Sequence, residues 1–221
     1  MIPAICLLGF LGSILLLKFA DKVNPANRYL AYHFFLNSLF GIAHWASVIS
    51  DSETLRAIFT IHYFPVYLLN TPFLYFYVRA VLTNKVQIRG WDYIHFLPFF
   101  IVLMNVLPYG IQSWAYKLNF AHQLHLDSKA IYLVYFPLIS FPVYFVSRSI
   151  FSLIYIFSAY QIVLKAIKLG LLTKNIVLKR WLITCLALGG IFNFSLLIFS
   201  FYSLWQNHFL LLMNEHGMGR T

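Results

Sequence analysis

The sequence contains little charge of either sign. Only 10% of its 221 residues are charged, whereas soluble domains carry about 25%. Hydrophobic residues make up 61% of the chain, and the mean hydropathy is +0.77. A chain with so little polar surface does not fold as a soluble domain, and its length leaves no room for a separate soluble catalytic domain. We therefore predict an all-α fold, a polytopic transmembrane helix bundle.

Negative charge is especially scarce, and it lies outside the hydrophobic runs. Proton-coupled and cation-coupled transporters usually hold a carboxylate at membrane depth. The acidic residues instead occupy links, the tail or the edge of a run, which disfavours such a transporter and leaves no paired carboxylates for acid–base catalysis. We therefore do not expect an enzyme. The six acidic residues are Asp21, Asp51, Glu53, Asp92, Asp127 and Glu215.

Cysteine and the common catalytic motifs are also lacking. Cys6 and Cys185 both lie in apolar runs, so a disulfide framework is not expected. The sequence has no Gly-rich phosphate loop and no nucleophile elbow. His122 and His125 have the spacing of two metal ligands on one helical turn, but no third ligand follows nearby. We expect neither a metal nor a cofactor.

The apolar residues fall into six runs that are bounded by charged or turn residues. A helix needs about 20 apolar residues to cross the hydrocarbon core, and each run is of that order. We therefore predict six membrane spans. They cover approximately residues 2–20, 29–50, 57–82, 91–109, 131–165 and 181–204.

Basic residues alternate strongly between the links that join these runs. The first, third and fifth links contain three, three and five basic residues, whereas the second and fourth contain one and two. Cytoplasmic links carry the excess of Lys and Arg, so the odd links are predicted to be cytoplasmic and the N-terminus outside. Lys18 and Lys22 follow the apolar stretch Met1–Leu17 and no basic residue precedes it, as in a spanning helix and unlike a signal peptide. We predict a multi-pass protein of the inner (plasma) membrane.

The fifth run is long enough for two short spans with a turn near Arg148. Such a hairpin would move the most basic link to the outside, against the charge rule. We therefore predict one span that is preceded by an interfacial or tilted segment, with kinks at Pro137 and Pro142.

The C-terminal tail starts as another apolar run at 209–213 and then becomes polar. A natural tail, a truncated chain and a change of reading frame would each produce this pattern. We predict that residues 1–204 form the helical bundle and that 205–221 form a tail or an incomplete seventh helix.

Polar residues inside the second run indicate a seam that lines a cavity. His33, Asn37 and His44 share one helical face, because spacings of four and eleven residues return to nearly the same angle. His33 and His44 are about 16 Å apart along the axis, too far to bind one metal ion. Hydrogen bonding between helices is the alternative explanation. His62 and His95 could extend the same seam.

The third run contains a second candidate feature. Pro65 and Pro72 flank Asn70 and Thr71, where a broken backbone ladder can present polar groups inside the bundle. This segment is predicted to be a ligand pocket or a hinge, or only a kink that neighbouring helices satisfy. Together the candidate ligand-binding residues are His33, Asn37, His44, Asn70, Arg79 and His95.

Three segments carry a resemblance to a known family. They are Asn70–Arg79 (NTPFLYFYVR), Trp91–Phe100 (WDYIHFLPFF) and Leu107–Tyr109 (LPY). Over roughly residues 1–212 the chain resembles the N-terminal membrane region of the membrane-anchored AraC-type transcriptional regulators of Bacteroidetes-like bacteria. The resemblance implies several membrane helices followed by a cytoplasmic helix-turn-helix domain. We expect this chain to lack that domain and to make no direct contact with nucleic acid.

These observations favour a membrane sensor that transmits a signal to a transcriptional output. A small transporter or permease and an intramembrane enzyme acting on lipid remain the alternatives. The expected partners are the lipid bilayer and an unidentified small ligand, and a homodimer is left open.

Overall fold

The computed structural model describes residues 1–173 and 175–217; of Asp21, Val23, Leu133 and 207–217 it describes only the backbone. Every regular element in these residues is helical and none is a strand, so the predicted all-α fold is confirmed. A π-helical turn covers Trp45–Ile49, and 3-10 turns span Gly90–Phe96 and Ser128–Leu133. The α-helices are α1 (Ile2–Val23), α2 (Asn27–His44), α3 (Glu53–Phe59), α4 (Phe64–Tyr67), α5 (Asn70–Thr83), α6 (Leu97–Gly110), α7 (Trp114–Leu126), α8 (Phe141–Lys168) and α9 (Ile176–Gly217).

Four helical segments of the described chain are long and apolar enough to cross a membrane. They are Ile2–Ala20, Gly90–Gly110, Phe141–Lys168 and Ile176–Gln206. These segments coincide with the first, fourth, fifth and sixth predicted runs, and many of their large apolar side chains are exposed. A chain that exposes so much apolar helix surface has the character of a membrane protein.

The third predicted run, 57–82, is not a single helix. It is divided among the end of α3, the four-residue α4 and α5. Pro65 lies at the start of α4 and Pro72 in the first turn of α5. In the first turn of a helix the backbone N–H has no hydrogen-bond partner within the helix, so a proline there breaks no hydrogen bond. The prolines therefore start new helices and do not kink one continuous helix.

The start of the fifth predicted run also differs from a kinked helix. Residues 134–140 form no helix, and α8 begins at Phe141 with Pro142 in its first turn. Pro142 therefore opens α8 and does not bend it, and Pro137 lies in the irregular segment before it. The backbone of α9 continues without a break from Ile176 to Gly217, and residues 218–221 lie outside the described residues.

Contacts between distant links define two ends of the bundle. At the first, which we call the basic end, the Tyr29 hydroxyl at the start of α2 donates to the Val86 carbonyl after α5. Leu172, between α8 and α9, belongs to the same buried cluster. At the opposite end, the α3–α7 end, His122 on α7 lies 2.6 Å from Glu53 on α3. The chain therefore alternates between these two ends.

The core of the bundle is built around α2, α5 and α8, with α5 packed between the other two. Close approach of α1 to α2 depends on small residues, since an added Cβ on Gly41 would lie 2.5 Å from Cys6 Sγ. Ser13 on α1 also donates to the Ala31 carbonyl at 2.8 Å. The central position of α5 places both of its ends in contact with polar groups of the neighbouring helices.

Candidate functional site

The principal candidate site is a hydrogen-bonded network between α2 and the first residue of α5. The side chains of Asn37 and Asn70 donate to each other, with N–O distances of 3.1 and 2.9 Å. His33, one turn earlier on α2, lies with Nδ1 3.0 Å from the Asn70 carbonyl oxygen and Nε2 3.0 Å from Asn37 Nδ2. We call these three residues the amide–imidazole network.

The contacts determine which ring nitrogen of His33 carries the proton. A carbonyl oxygen only accepts, so Nδ1–H is the donor to Asn70; Nε2 then accepts from the Asn37 amide. A neutral imidazole therefore satisfies both contacts. The two hydrogens of Asn37 Nδ2 face three acceptors, because the His33 carbonyl also lies at 3.0 Å. One hydrogen of the Asn37 amide is thus shared between two acceptors.

Local sequence explains why these groups meet. The four-residue spacing of His33 and Asn37 places them one above the other on α2. The break between α4 and α5 ends at Asn70, whose side chain lies in the first turn of a new helix and can turn toward α2. The same contacts also hold the two helices together.

A small cleft between α2 and α4 adjoins the network. Asn70 forms part of its wall, and it leaves about 10 Å³ for the centre of a water molecule, which is room for about one water. The other lining side chains are aliphatic or aromatic, so the Asn70 amide is the main polar group of the cleft. A ligand larger than water requires α2 and α4 to separate. The lining residues are Leu36, Leu39, Phe40, Tyr63, Val66, Tyr67 and Asn70.

Arg79, at the other end of α5, forms a bidentate ion pair with Asp92. The two N–O distances are 2.5 and 3.0 Å, and the side chains are 13% and 20% exposed. Asp92 also accepts the Arg89 backbone N–H at 3.1 Å, and the guanidinium lies 4.9 Å from the Phe76 ring. The pair fixes the 3-10 turn Gly90–Phe96 against α5.

His95 lies near this ion pair in an aromatic enclosure. Its Nδ1 is 2.6 Å from the Tyr155 hydroxyl on α8. The rings of Tyr75, Phe76 and Tyr155 lie between 5.3 and 5.6 Å from the imidazole. His95 therefore joins α5, the 3-10 turn and α8, and it is not part of the amide–imidazole network.

The structure places the six predicted site residues in three locations. His33, Asn37 and Asn70 form the network, and Arg79 and His95 lie together at the basic end. His44 is exposed at the end of α2, with its ring against Phe40 at 6.1 Å. His62, which could have joined the seam, contacts the Ile58 carbonyl of its own segment at 2.9 Å.

Arg148 is a further polar residue in the core that the predicted site omitted. It is 6% exposed on α8, and its charge lies over the rings of Phe145 at 4.3 Å and Tyr67 at 5.2 Å. Its Nε has no hydrogen-bond partner, and no described carboxylate pairs with it. The signal in the sequence was a lone basic residue within a long apolar run.

Among the side chains that the structure describes, no group of three or more His, Cys, Asp or Glu residues is arranged to hold a metal ion. No family model, no curated protein and no solved structure matches the chain. The fold and the candidate sites therefore carry the functional argument.

Proposed function

We propose that this chain is the membrane sensor domain of a signalling system in the bacterial inner membrane. In this proposal it crosses the bilayer six times, with its N-terminus outside. Two further crossings, by α2 and by the α4–α5 segment, join the four long apolar helices. The alternation of links between the basic end and the α3–α7 end supports six crossings, and the excess of Lys and Arg supports a cytoplasmic basic end.

The amide–imidazole network carries the proposal. It is a polar group inside an apolar bundle, it joins two helices, and Asn70 belongs both to the network and to the wall of the cleft. Polar groups at membrane depth are costly and commonly functional. A ligand that offers its own donors and acceptors in the cleft would replace the bonds between Asn37 and Asn70.

The mechanism is a shift between two packings of α2 against the α4–α5 segment. A ligand shifts this equilibrium only if it binds the open packing more tightly. α5 transmits the change as a rigid body, because Asn70 and Arg79 lie on one helix about 14 Å apart. Movement of α5 would then alter the contact between Arg79 and Asp92 at the basic end.

The output of the proposed sensor is transcriptional. The similarity of Asn70–Arg79 and Trp91–Phe100 to the AraC-type membrane regulators supports this assignment. The chain itself contributes sensing, and the DNA contact belongs to a cytoplasmic helix-turn-helix module. Six crossings from an outside N-terminus return the chain to the outside, so this module would have to follow a seventh span or belong to a separate protein.

The test measures a ligand-dependent change at the basic end. The chain with Cys6→Ala and Cys185→Ala carries a fluorophore at Thr173→Cys, an exposed position, and is placed in lipid nanodiscs. Small polar and amphiphilic metabolites are added one at a time. We expect at least one compound to change the fluorescence of the parent and not of its Asn70→Leu variant.

The matched control is Asn119→Leu, the same substitution at an exposed position on α7. It should respond as the parent does. The sensor proposal fails if no compound changes the signal, or if the Asn70→Leu and Asn119→Leu chains respond alike.

Arg148 favours a second candidate, a small transporter of anions. A buried cation without a carboxylate partner among the described residues is a ready counter-charge for a passing anion. This alternative predicts flux of a radiolabelled anionic metabolite into proteoliposomes that contain this chain alone. Such flux, lost in Arg148→Met, would favour the transporter over the sensor.

A further inference from the structure

The link between α5 and α6 forms a basic cleft beside an exposed aromatic surface. The cleft is open, with a volume of about 440 Å³. A volume of this order is typical of sites that bind small molecules. It is lined by Arg79, Asn84, Lys85, Val86, Gln87, Arg89 and Asp92. We call it the basic cleft.

The charge of the basic cleft is positive and partly uncompensated. Asp92 neutralises Arg79 through the bidentate pair. Lys85 and Arg89 are exposed, and no described carboxylate forms an ion pair with either. Two cations are therefore available to an anion, with the exposed amides of Asn84 and Gln87 as additional hydrogen-bond donors.

The backbone of the link holds these groups in place. Asn84 adopts a left-handed conformation with φ 56° and Gly90 has φ 54°, so the backbone changes direction at both ends of the link. Between them, Val86 and Ile88 pack on the core, and the Tyr29 hydroxyl holds the Val86 carbonyl. The side chains at 85, 87 and 89 alternate with these anchors and face outward.

The surface next to the basic cleft suits lipid. Trp91 and Tyr93 are 86% and 64% exposed, and Ile94 and Leu97 are also exposed. Trp and Tyr favour the headgroup level of a bilayer, and basic pockets at the ends of membrane helices bind anionic headgroups. A free anion would use the cations alone, whereas a phospholipid would use the cations and the apolar surface together.

We propose that the basic cleft binds the phosphate of an anionic phospholipid, with the acyl chains along Trp91, Ile94 and α6. Lys85 and Arg89 would contact the phosphate oxygens as charged donors. The assignment of this lipid to the cytoplasmic leaflet rests on the proposed topology; binding itself does not.

The test measures lipid affinity with the full chain and without any signal compound. The chain in phosphatidylcholine nanodiscs is titrated with phosphatidylglycerol, and binding is read by fluorescence of a labelled lipid and by thermal stability. We expect Lys85→Gln/Arg89→Gln to weaken phosphatidylglycerol binding at least tenfold. A second arm titrates inorganic phosphate, which should give no shift at matched concentration.

The matched control removes two charges from the same end of the bundle. Lys165→Gln/Lys168→Gln changes exposed residues of α8 that do not line the basic cleft, and it should retain the parent affinity. Equal losses in both double variants would show general surface attraction and would overturn the proposal. So would an unchanged affinity in Lys85→Gln/Arg89→Gln, or an equal response to inorganic phosphate, which would indicate a free-anion site.

Two readouts keep this proposal separate from the sensor proposal. All substituted residues are exposed, and unchanged elution and unfolding temperature in phosphatidylcholine confirm the fold of each variant. The lipid experiment involves neither Asn70 nor a signal compound. It therefore succeeds or fails independently of the Asn70→Leu result.

Discussion

The side-chain amides of Asn37 and Asn70 donate to each other across the interface of α2 and α5, with N–O distances of 3.1 and 2.9 Å. Each amide thus satisfies the other in a bundle that offers little water. The pairing ties the start of α5, directly after the helix break, to the middle of α2. It therefore joins the α4–α5 segment to α2 through polar groups.

Removal of either amide should leave the other without its partner. Both amides are half-buried, and a polar group shielded from water that loses its hydrogen bond costs about 1–3 kcal/mol. We expect Asn37→Leu and Asn70→Leu each to lower the free energy of unfolding in mixed micelles by about this amount. The double variant should cost less than the sum of the two. Additive losses, or an equal loss in the exposed Asn119→Leu control, would contradict the pairing.

The contact of α1 with α2 should depend on Gly41. Its added Cβ would lie 2.5 Å from Cys6 Sγ, whereas an added Cβ on Gly12 would meet nothing within 4 Å. Overpacking costs about 1–3 kcal/mol, so Gly41→Ala should lower the unfolding free energy by this amount. Gly12→Ala should be neutral or stabilising, because Ala is the better helix former. Addition of Cys6→Ala should restore the stability of Gly41→Ala; a failure to do so would place the strain elsewhere.

Substitution of Arg79 by Lys should not be conservative. Only the planar guanidinium can contact both oxygens of Asp92, at 2.5 and 3.0 Å. We expect Arg79→Lys to lower the unfolding free energy by about 1–3 kcal/mol. Lys85 is exposed and forms no such bidentate pair. Lys85→Gln should therefore change the free energy of unfolding by less than about 0.5 kcal/mol. Equal effects at both positions would exclude a specific role for the ion pair.

Arg56 and Arg148 are both buried, yet their replacement should have different consequences. Arg56 donates to the carbonyls of Ser47 and Ser50 at 3.1 and 2.7 Å, so it satisfies the end of the π-helical turn. Arg148 faces aromatic rings and has no carboxylate partner among the described residues. Arg56→Met should lower the unfolding temperature, and Arg148→Met should leave it unchanged or raise it, because a buried charge is removed. A comparable loss in both would show that Arg148 also stabilises the fold and would contradict this prediction.

The proposed topology can be measured directly. Lys85 and Asn119 are exposed at opposite ends of the bundle, and each is replaced by a single cysteine. In intact cells with a permeable outer envelope, we expect a membrane-impermeant thiol reagent to label Asn119→Cys and to spare Lys85→Cys until the inner membrane is opened. Labelling of both positions, or the reverse order, would contradict the six-span arrangement with the N-terminus outside.

Hydrophobic content and run length were sufficient to predict an all-α membrane fold. These are local properties, since a helix satisfies its own backbone and an apolar run of about 20 residues matches the bilayer. The first, fourth, fifth and sixth runs accordingly coincide with the four long apolar helices. The run 57–82 was predicted less well, because hydropathy does not distinguish one kinked helix from α4 and α5 started by separate prolines.

The polar residues at membrane depth could be found in the sequence, but their partners could not. Helical spacing placed His33 and Asn37 on one face, and the prolines drew attention to Asn70. Only the tertiary structure brought Asn70 to Asn37, 33 positions away, and His95 to Tyr155, 60 positions away. It also separated His44 from the network and buried Arg148 among aromatic rings. The reason is physical. Helical periodicity specifies the face of a helix on which a side chain lies, whereas the packing of α2, α5 and α8 decides which residues of a neighbouring helix that face contacts.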